Sequence, residues 1–529
     1  MTVAAQTSET QPDPDQSHTG PVHTRALIIG TGFSGLGMGI ALQRRGVEFL
    51  ILEKADDIGG TWRDNTYPGC ACDIPSHMYS FSFEPKADWT HMWSYQPEIL
   101  EYMQGVTNKY GLRRYIRFGS HVDRAYWDDT EMRWHVFTTD GREFVAQFLI
   151  SGIGGLHIPL IPDFEGIDEY QGRLFHSAQW DHSVDLTGKR VAVIGTGASA
   201  IQIVPAIIED VAALHLYQRT PAWVMPRPNN PIPPWLRTVF SYVPGTRWAM
   251  RAAIYWAHEV VGFAMTKQPR LLKIGELLGK WNIRRWVKDP ELRRKLTPSY
   301  RAGCKRILNS NTYYRAVADP KTEVITDGIA RFTRTGIVAG DGTERDVDVV
   351  VCATGFHVTD AFSYLDIKGR AGEDLVDRWN REGISALRGI TVTGMPNLFF
   401  LLGPNTALGH NSVVFMIESQ IRYVAQAIAA VDRMGAQALE PTKAAQDAYN
   451  EKLQRELAGT VWNTGGCRSW YLDEHGVNRT LWSGMTWQYW LATRRFDPSE
   501  YHFLGFADSD RDTRLTQHVA LTPVVGHQG

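Results

Sequence analysis

Two stretches of this chain constrain its fold more than any others. ALIIGTGFSGLGMGIALQRRG (26–46) and KRVAVIGTGASAIQIVPAI (189–207) share one design: an apolar run, a glycine turn, then an apolar segment of helical character. In the first, Gly30, Gly32 and Gly35 form G-x-G-x-x-G directly after a strand-like run, with Phe33 and Ser34 between the last two glycines. The first glycine permits the tight turn, the second lets a pyrophosphate approach the backbone, and the third lets the helix pack close to the strand. The helix N-terminus then offers free N–H groups and a positive dipole end to the phosphates. The second stretch carries Gly195, Thr196, Gly197, Ala198 and Ser199 in the turn, and Ala200 replaces the third glycine. The pattern predicts an α/β chain with two Rossmann-like dinucleotide-binding domains.

The strands that follow the two turns end differently. EFLILEK (48–54) ends near Glu53, where an acid accepts a ribose hydroxyl bond. ALHLYQRT (213–220) ends in Gln218, Arg219 and Thr220, so the acid has given way to a cation. A carboxylate there would repel a 2′-phosphate, whereas a guanidinium pairs with one in bidentate fashion. The first site is therefore expected to take FAD and the second NADPH, the two-dinucleotide flavoprotein plan. In such folds the chain returns late to the FAD unit, and DVDVVVCATGF (346–356) reads as that return. Reduced flavin could feed a disulfide, but no C-x-x-C or C-x4-C is present, which leaves reaction with O2.

Composition narrows the rest. A chain of 529 residues is long enough for two or three packed domains, and a formal net charge of -2 gives no reason to propose a nucleic-acid partner. Five cysteines, odd in number and scattered, argue against a disulfide framework and for a reducing, cytoplasmic setting. Cys70-Ala-Cys72 has no second pair at zinc spacing, so no metal site is expected. The polar opening residues lack the apolar core of a signal peptide. The nearest apolar run, 253–265, is too short to span a bilayer and contains His258 and Glu259, so no transmembrane span is expected, while peripheral contact stays open.

Two further motifs carry a resemblance. GGTWRDNTYPGCACD (59–73) and YQGRLFHSAQWD (170–181) match the two signatures of the type I Baeyer–Villiger monooxygenases, with Tyr170 where that family has Phe. The chain resembles that family over roughly residues 24–505. The resemblance implies an ester- or lactone-forming oxygenation of a ketone through a C4a-peroxyflavin, driven by NADPH. It assigns Arg306 to the stabilisation of negative charge at the flavin, Lys305 to the NADPH phosphate beside Arg219, and Asp73 to the positioning of Arg306. Thr61, Trp62 and Tyr79 would line the FAD, and Trp470 would lie near the nicotinamide ribose. The alternative is an N- or S-oxygenating flavin-containing monooxygenase, which usually lacks the Trp180-Asp181 ending of the second signature. In that signature Gly172 would permit a bend, and His176 and Trp180 would tie a connector to the domains. His176 has no partner acid or Ser at triad spacing, so it reads as a connector residue and not a base.

The expected order along the chain is a disordered tail (1–23), an FAD-binding part (24–168), the signature linker (169–188), and an NADP-binding part (189–222). A helical insertion (223–296), the rest of the NADP domain (297–345), the rest of the FAD domain (346–505) and a C-terminal tail (506–529) follow. The insertion's apolar character suits a small hydrophobic ketone alongside O2, and the chain is expected to act as a monomer or small homo-oligomer.

Overall fold

A computed structural model describes residues 20–358 and 365–506. The tails expected at the two ends lie almost wholly outside the described residues, and at the first boundary strand Val22–Ile29 already includes Val22 and His23, which the sequence assigned to the tail.

Strand Val22–Ile29 lies inside an eight-stranded sheet, parallel to Phe49–Leu52 on one side and to Glu143–Ser151 on the other. Its Ala26, Leu27 and Ile28 are fully buried, as a strand covered on both faces must be. Helix Phe33–Gln43 buries nearly its whole circumference beneath this sheet. A Cβ at Gly37 would stand 2.8 Å from Ile421 and 2.9 Å from Phe81, so the missing side chain is what lets helix Val413–Met434 pack against it. That helix starts on Ser412, whose hydroxyl accepts from the Val414 N–H, and stops on Gly435 at φ 64°. An antiparallel run, Val122–Asp128 and Arg133–Thr138, widens the sheet.

The second sheet is five-stranded and wholly parallel. Its order is Thr322–Ile325, Ala213–Tyr217, Arg190–Ile194, Val349–Cys352, Arg173–His176. Two expectations change here. Val349–Cys352 does not return the chain to the first sheet: it pairs with Arg190–Ile194 and Arg173–His176. The return comes later, with Asp366–Lys368 beside Val122–Asp128 and Leu398–Phe400 beside Glu143–Ser151. An apolar strand ending in a glycine turn has the same pattern in either sheet, so the sequence could not assign it. The signature stretch is also more than a connector, because Arg173–His176 is an edge strand of the second sheet.

Between strand Val224–Met225 and its partner Leu308–Asn309 stand helices Pro234–Tyr242, Thr246–Thr266, Leu272–Trp286 and Pro290–Leu296, the helical insertion that the sequence suggests.

Candidate active site

The first glycine turn has the shape of a phosphate cradle. Gly30 sits at φ +95°, which costs a side-chain-bearing residue strain. A Cβ at Gly35 would lie 1.8 Å from the Gly30 carbonyl oxygen, so this glycine is demanded by packing. A Cβ at Gly32 would meet nothing within 4 Å, which leaves the turn open on that side. Phe33 and Ser34 are buried at the start of the helix, and Gly59–Gly60 closes against the turn through a bond from the Gly59 N–H to the Thr31 carbonyl (3.2 Å). Glu53, buried at the strand end, accepts from the Thr31 N–H (2.9 Å), the Thr31 hydroxyl (2.6 Å), the Ala55 N–H (3.0 Å) and Arg63 (3.0 Å). Burial opposes its charge, but the Thr31 hydroxyl and Arg63 outweigh it and hold the carboxyl below its ordinary range. Thr31 and Arg63 were not singled out by the sequence, since neither has a spacing signature.

The second turn repeats the geometry with one exchange. Gly195 sits at φ +116°, with the Ala353 carbonyl oxygen 2.4 Å from where a Cβ would be. Gly197, like Gly32, has open space around its missing side chain. Ala198 is exposed, Ser199 lies at the start of helix Ala200–Ile207, and the Thr196 hydroxyl donates to the Thr220 carbonyl (2.8 Å). Gln218 is buried and donates to the Lys295 carbonyl (2.8 Å), while Arg219 is exposed. Burial and the neighbouring Arg219 together lower the Lys305 pKa. Two cations brought together at a dinucleotide turn fit an anion such as a 2′-phosphate. The two turns thus fit an acid-bound and a phosphate-bound ribose respectively.

Asp73 and Arg306 come together 233 residues apart in sequence. Arg306 Nε donates to Asp73 Oδ2 at 2.6 Å, and Nη1 donates to the Leu408 carbonyl at 3.3 Å. Asp73 raises the Arg306 pKa against the opposing effect of burial. In turn, Arg306 overcomes the burial of Asp73 and holds its carboxyl below the ordinary range. Both groups therefore stay charged, and Nη2 of Arg306 remains without a partner among the described residues. The Asp73 loop carries Trp62 and Tyr79 nearby: the Trp62 indole N–H donates to the Tyr79 hydroxyl (3.2 Å), and Phe33 stacks edge-on against Tyr79 (5.2 Å). Thr61 opens the short helix Thr61–Asp64 between Gly60 and Trp62. Burial raises the Tyr79 pKa, so it stays a neutral phenol.

Several residues at this junction carry no motif of their own. Gln202, on the helix after the second turn, accepts from the Tyr67 hydroxyl (3.0 Å) and donates to the Ala71 carbonyl (2.9 Å). It fastens the 59–73 signature to the second unit. Arg227 donates to the Cys72 carbonyl (3.1 Å) and contributes its charge at Asp73. Tyr471 is fully buried, and its hydroxyl feels both Arg306 and Asp73. Its neighbour Trp470, the residue singled out by the sequence, is 45% exposed and packs on Tyr471 (4.5 Å). Asn405 is buried and spends its amide on the Asn478 and Leu481 carbonyls, a role in holding a loop. Cys304 and Cys467 form a disulfide, against the expectation from cysteine number and spacing. It joins the residue before Lys305–Arg306 to the segment before Trp470, and pairs of such long separation have no sequence signal.

The signature 170–181 has a structural logic. A Cβ at Gly172 would lie 2.1 Å from the Tyr170 hydroxyl and 2.7 Å from the Asp348 carbonyl oxygen. Gly172 therefore makes room for Tyr170 and the Asp348 carbonyl, at a bend in the backbone just before strand Arg173–His176. The Tyr170 hydroxyl donates to the Val347 carbonyl (2.9 Å). His176 is fully buried, its Nδ1 accepts from the Ala178 N–H (3.1 Å), and burial lowers its pKa, so it is neutral. It pairs in register with Cys352, next to the Ala353 whose carbonyl backs Gly195. Trp180 packs edge-on against Phe175 (5.1 Å), and Asp181 accepts from Ser183 in a local turn. No cluster of metal-ligating groups is found among the described residues.

The flavin-binding monooxygenase-like family model matches residues 23–246. A Baeyer–Villiger monooxygenase of Pseudomonas aeruginosa is 48% identical over 497 residues, covering 93% of each chain. The cyclohexanone monooxygenase of Rhodococcus sp. Phi1, solved with NADP+, superposes with a TM-score of 0.82 at 27% identity, covering 92% of this chain and all of that one. The structure of OTEMO in complex with FAD and NADP gives 0.81 at 26%, covering 90% of this chain and 99% of the other. The chain belongs to the Baeyer–Villiger monooxygenase family.

Proposed function

We propose that this enzyme, with FAD at the Gly30 turn and NADPH at the Gly195 turn, inserts one oxygen atom of O2 beside the carbonyl of a small hydrophobic ketone. The product is an ester or lactone. The Arg306–Asp73 pair carries the reading: a fixed guanidinium, charged at all working pH, is held where the two dinucleotide units meet.

When bound, FAD reduced by NADPH supplies the activated oxygen. The protein contributes orientation and electrostatics. Asp73 and the Leu408 carbonyl fix the guanidinium from two sides, so Nη2 can face negative charge as the substrate carbonyl is attacked. Buried Cys72 and Tyr471 stand beside this pair and lower the local dielectric, which strengthens the charge interaction. Arg219 and Lys305 hold the 2′-phosphate of NADPH, and Thr196, Gly197 and Ala198 present backbone N–H groups to its pyrophosphate. Glu53 binds the adenosine ribose of FAD. Trp470 stands by the nicotinamide ribose, with Tyr471 beneath it. His176 positions the end of strand Val349–Cys352 behind the second turn.

We place the enzyme in the cytoplasm, where NADPH is supplied, as a monomer or small homo-oligomer. A ketone panel with product analysis tests the reading: esters or lactones are expected with NADPH consumption, whereas oxidation of amines and sulfides with every ketone untouched would overturn it.

A further inference from the structure

The helical insertion carries an exposed apolar surface that the chemistry does not use. On helix Thr246–Thr266, Trp248, Trp256, Val260 and Phe263 are 42–70% exposed, and on Leu272–Trp286 so are Ile274 (69%), Leu277 (67%) and Trp281 (49%). Helix Pro234–Tyr242 adds Trp235 at 67% and Tyr242 at 82%. The spacings 248, 256, 260, 263 and 274, 277, 281 each follow one side of a helix. A soluble surface rarely groups large side chains in this way.

Other residues of helix Thr246–Thr266 are engaged with the body of the protein. Arg251 donates to the His77 (2.8 Å) and Ser80 (3.1 Å) carbonyls, His258 bonds the His410 carbonyl (2.6 Å), and Glu259 accepts from Asn411 (2.7 Å) and Thr486. These partners lie on the loops around Arg306, including the Leu408–Asn411 turn. The helix that carries much of the bare apolar face thus also holds the turn whose Leu408 carbonyl accepts from Arg306.

Charge says what covers that face. Residues 234–288 contain ten Lys and Arg but only Glu259 and Glu276 as acids, in a chain whose formal net charge is -2. Glu259 is buried and Glu276 is half-buried beside Arg301, so every exposed charged side chain of the segment is basic: Lys267, Arg270, Lys273, Arg284, Arg285 and Lys288. None of the six has a carboxylate partner among the described residues. A second copy docking face to face would set this cationic surface against itself. No helix is long and apolar enough to cross a membrane among the described residues. Exposed Trp and Tyr with aliphatic neighbours and a cationic rim match a surface that lies in the headgroup region of a bilayer.

We propose that helices Pro234–Tyr242, Thr246–Thr266 and Leu272–Trp286 seat the enzyme on anionic phospholipid, with their apolar side chains in the headgroup boundary. The seated face backs directly onto the active site, so ketones dissolved in the bilayer are presented at short range.

The test is co-sedimentation of the FAD-loaded enzyme with vesicles of phosphatidylcholine alone or with one third phosphatidylglycerol. Binding to the anionic vesicles that weakens with salt is expected, together with weak binding to the neutral ones. Lys273→Gln, Arg284→Gln and Arg285→Gln combined should reduce that binding by about a hundredfold, at about fivefold for each cation. Trp256→Ser with Leu277→Ser should reduce binding to both vesicle types while FAD content and turnover of a water-soluble ketone stay unchanged. Failure of the wild type to bind anionic vesicles, or equal binding to both compositions, would overturn the proposal. So would a dimer in sedimentation velocity that dissociates in Trp256→Ser/Leu277→Ser, because a second copy would then own the face.

Discussion

The two glycine turns start from the same local rules and end with different chemistry. Each begins with a positive-φ glycine, at +95° in Gly30 and +116° in Gly195, and each leaves open space at its second glycine. They part at the third position and at the strand end. Gly35 is required by the Gly30 carbonyl oxygen, while Ala200 is accommodated, buried, in the second turn. Glu53 is buried and satisfied by four donors, whereas Arg219 is exposed and shares its field with Lys305. The turn backbones are alike, and the charge at the strand end is what distinguishes the two turns.

The largest expected effect lies where the two regions meet. Arg306→Ala should lower ester formation by about 10²–10³, the usual cost of one preorganised donor, while the rate of FAD reduction by NADPH is retained in stopped-flow measurements. Ester formation near the wild-type rate would remove Arg306 from the reaction. Because burial raises and Arg306 lowers the Asp73 pKa to a net value below the ordinary carboxylate range, the pair contributes stability above that range and loses it as pH falls through the folded value. Activity from neutral to alkaline pH should show no inflection from this pair.

The second region's tether comes next. Cys467→Ser removes a cross-link spanning 163 residues and should destabilise the protein by about 2–4 kcal/mol in denaturant titration. A smaller loss would show that packing of Gly465 against Cys304 already holds this segment.

Nucleotide choice is the direct test of the contrast. Arg219→Ala should raise the KM for NADPH by about 10- to 100-fold, the worth of a charged hydrogen bond, and leave NADH nearly unchanged. Equal losses for both would locate the 2′-phosphate elsewhere. Gly35→Ala and Gly197→Ala separate packing from cradle. The first should cost about 1–3 kcal/mol of stability even without FAD, because its Cβ has no room; the second should leave thermal stability alone and weaken NADPH.

The smallest effect is expected at His176. It is neutral and pairs with Cys352 at the strand end behind Gly195. His176→Ala should shift the ratio of ester formed to NADPH consumed more than it shifts nucleotide affinity. Unchanged coupling would leave it a packing residue.

Local rules made much of this legible in the sequence. The glycine turns, the acid-to-cation exchange at Glu53 and Arg219, and the two signatures can each be read within about twenty residues. Where the sequence erred, the deciding contact was remote. Val349–Cys352 has the apolar pattern of any buried parallel strand, and only its neighbours place it in the second sheet. Gln202, Arg227 and Tyr471 occupy ordinary helix and loop positions, and they matter because of what lies against them. Gly172 stands at a bend, as its sequence position suggests, but only the fold shows that Tyr170 and Asp348 also fill the space a side chain would need.

By itself, then, the sequence determined two glycine turns of dinucleotide-binding form, the opposite charges at their strand ends and the class of reaction, because backbone conformation and charge at a turn are set by nearby residues. The tertiary structure decided which groups meet: Arg306 with Asp73, Cys304 with Cys467, and the inner face of helix Thr246–Thr266 with the loops of the site. It also left that helix's outer face bare. A helical period specifies that one side is apolar, but whether that side meets protein, water or lipid depends on what the rest of the chain brings to it.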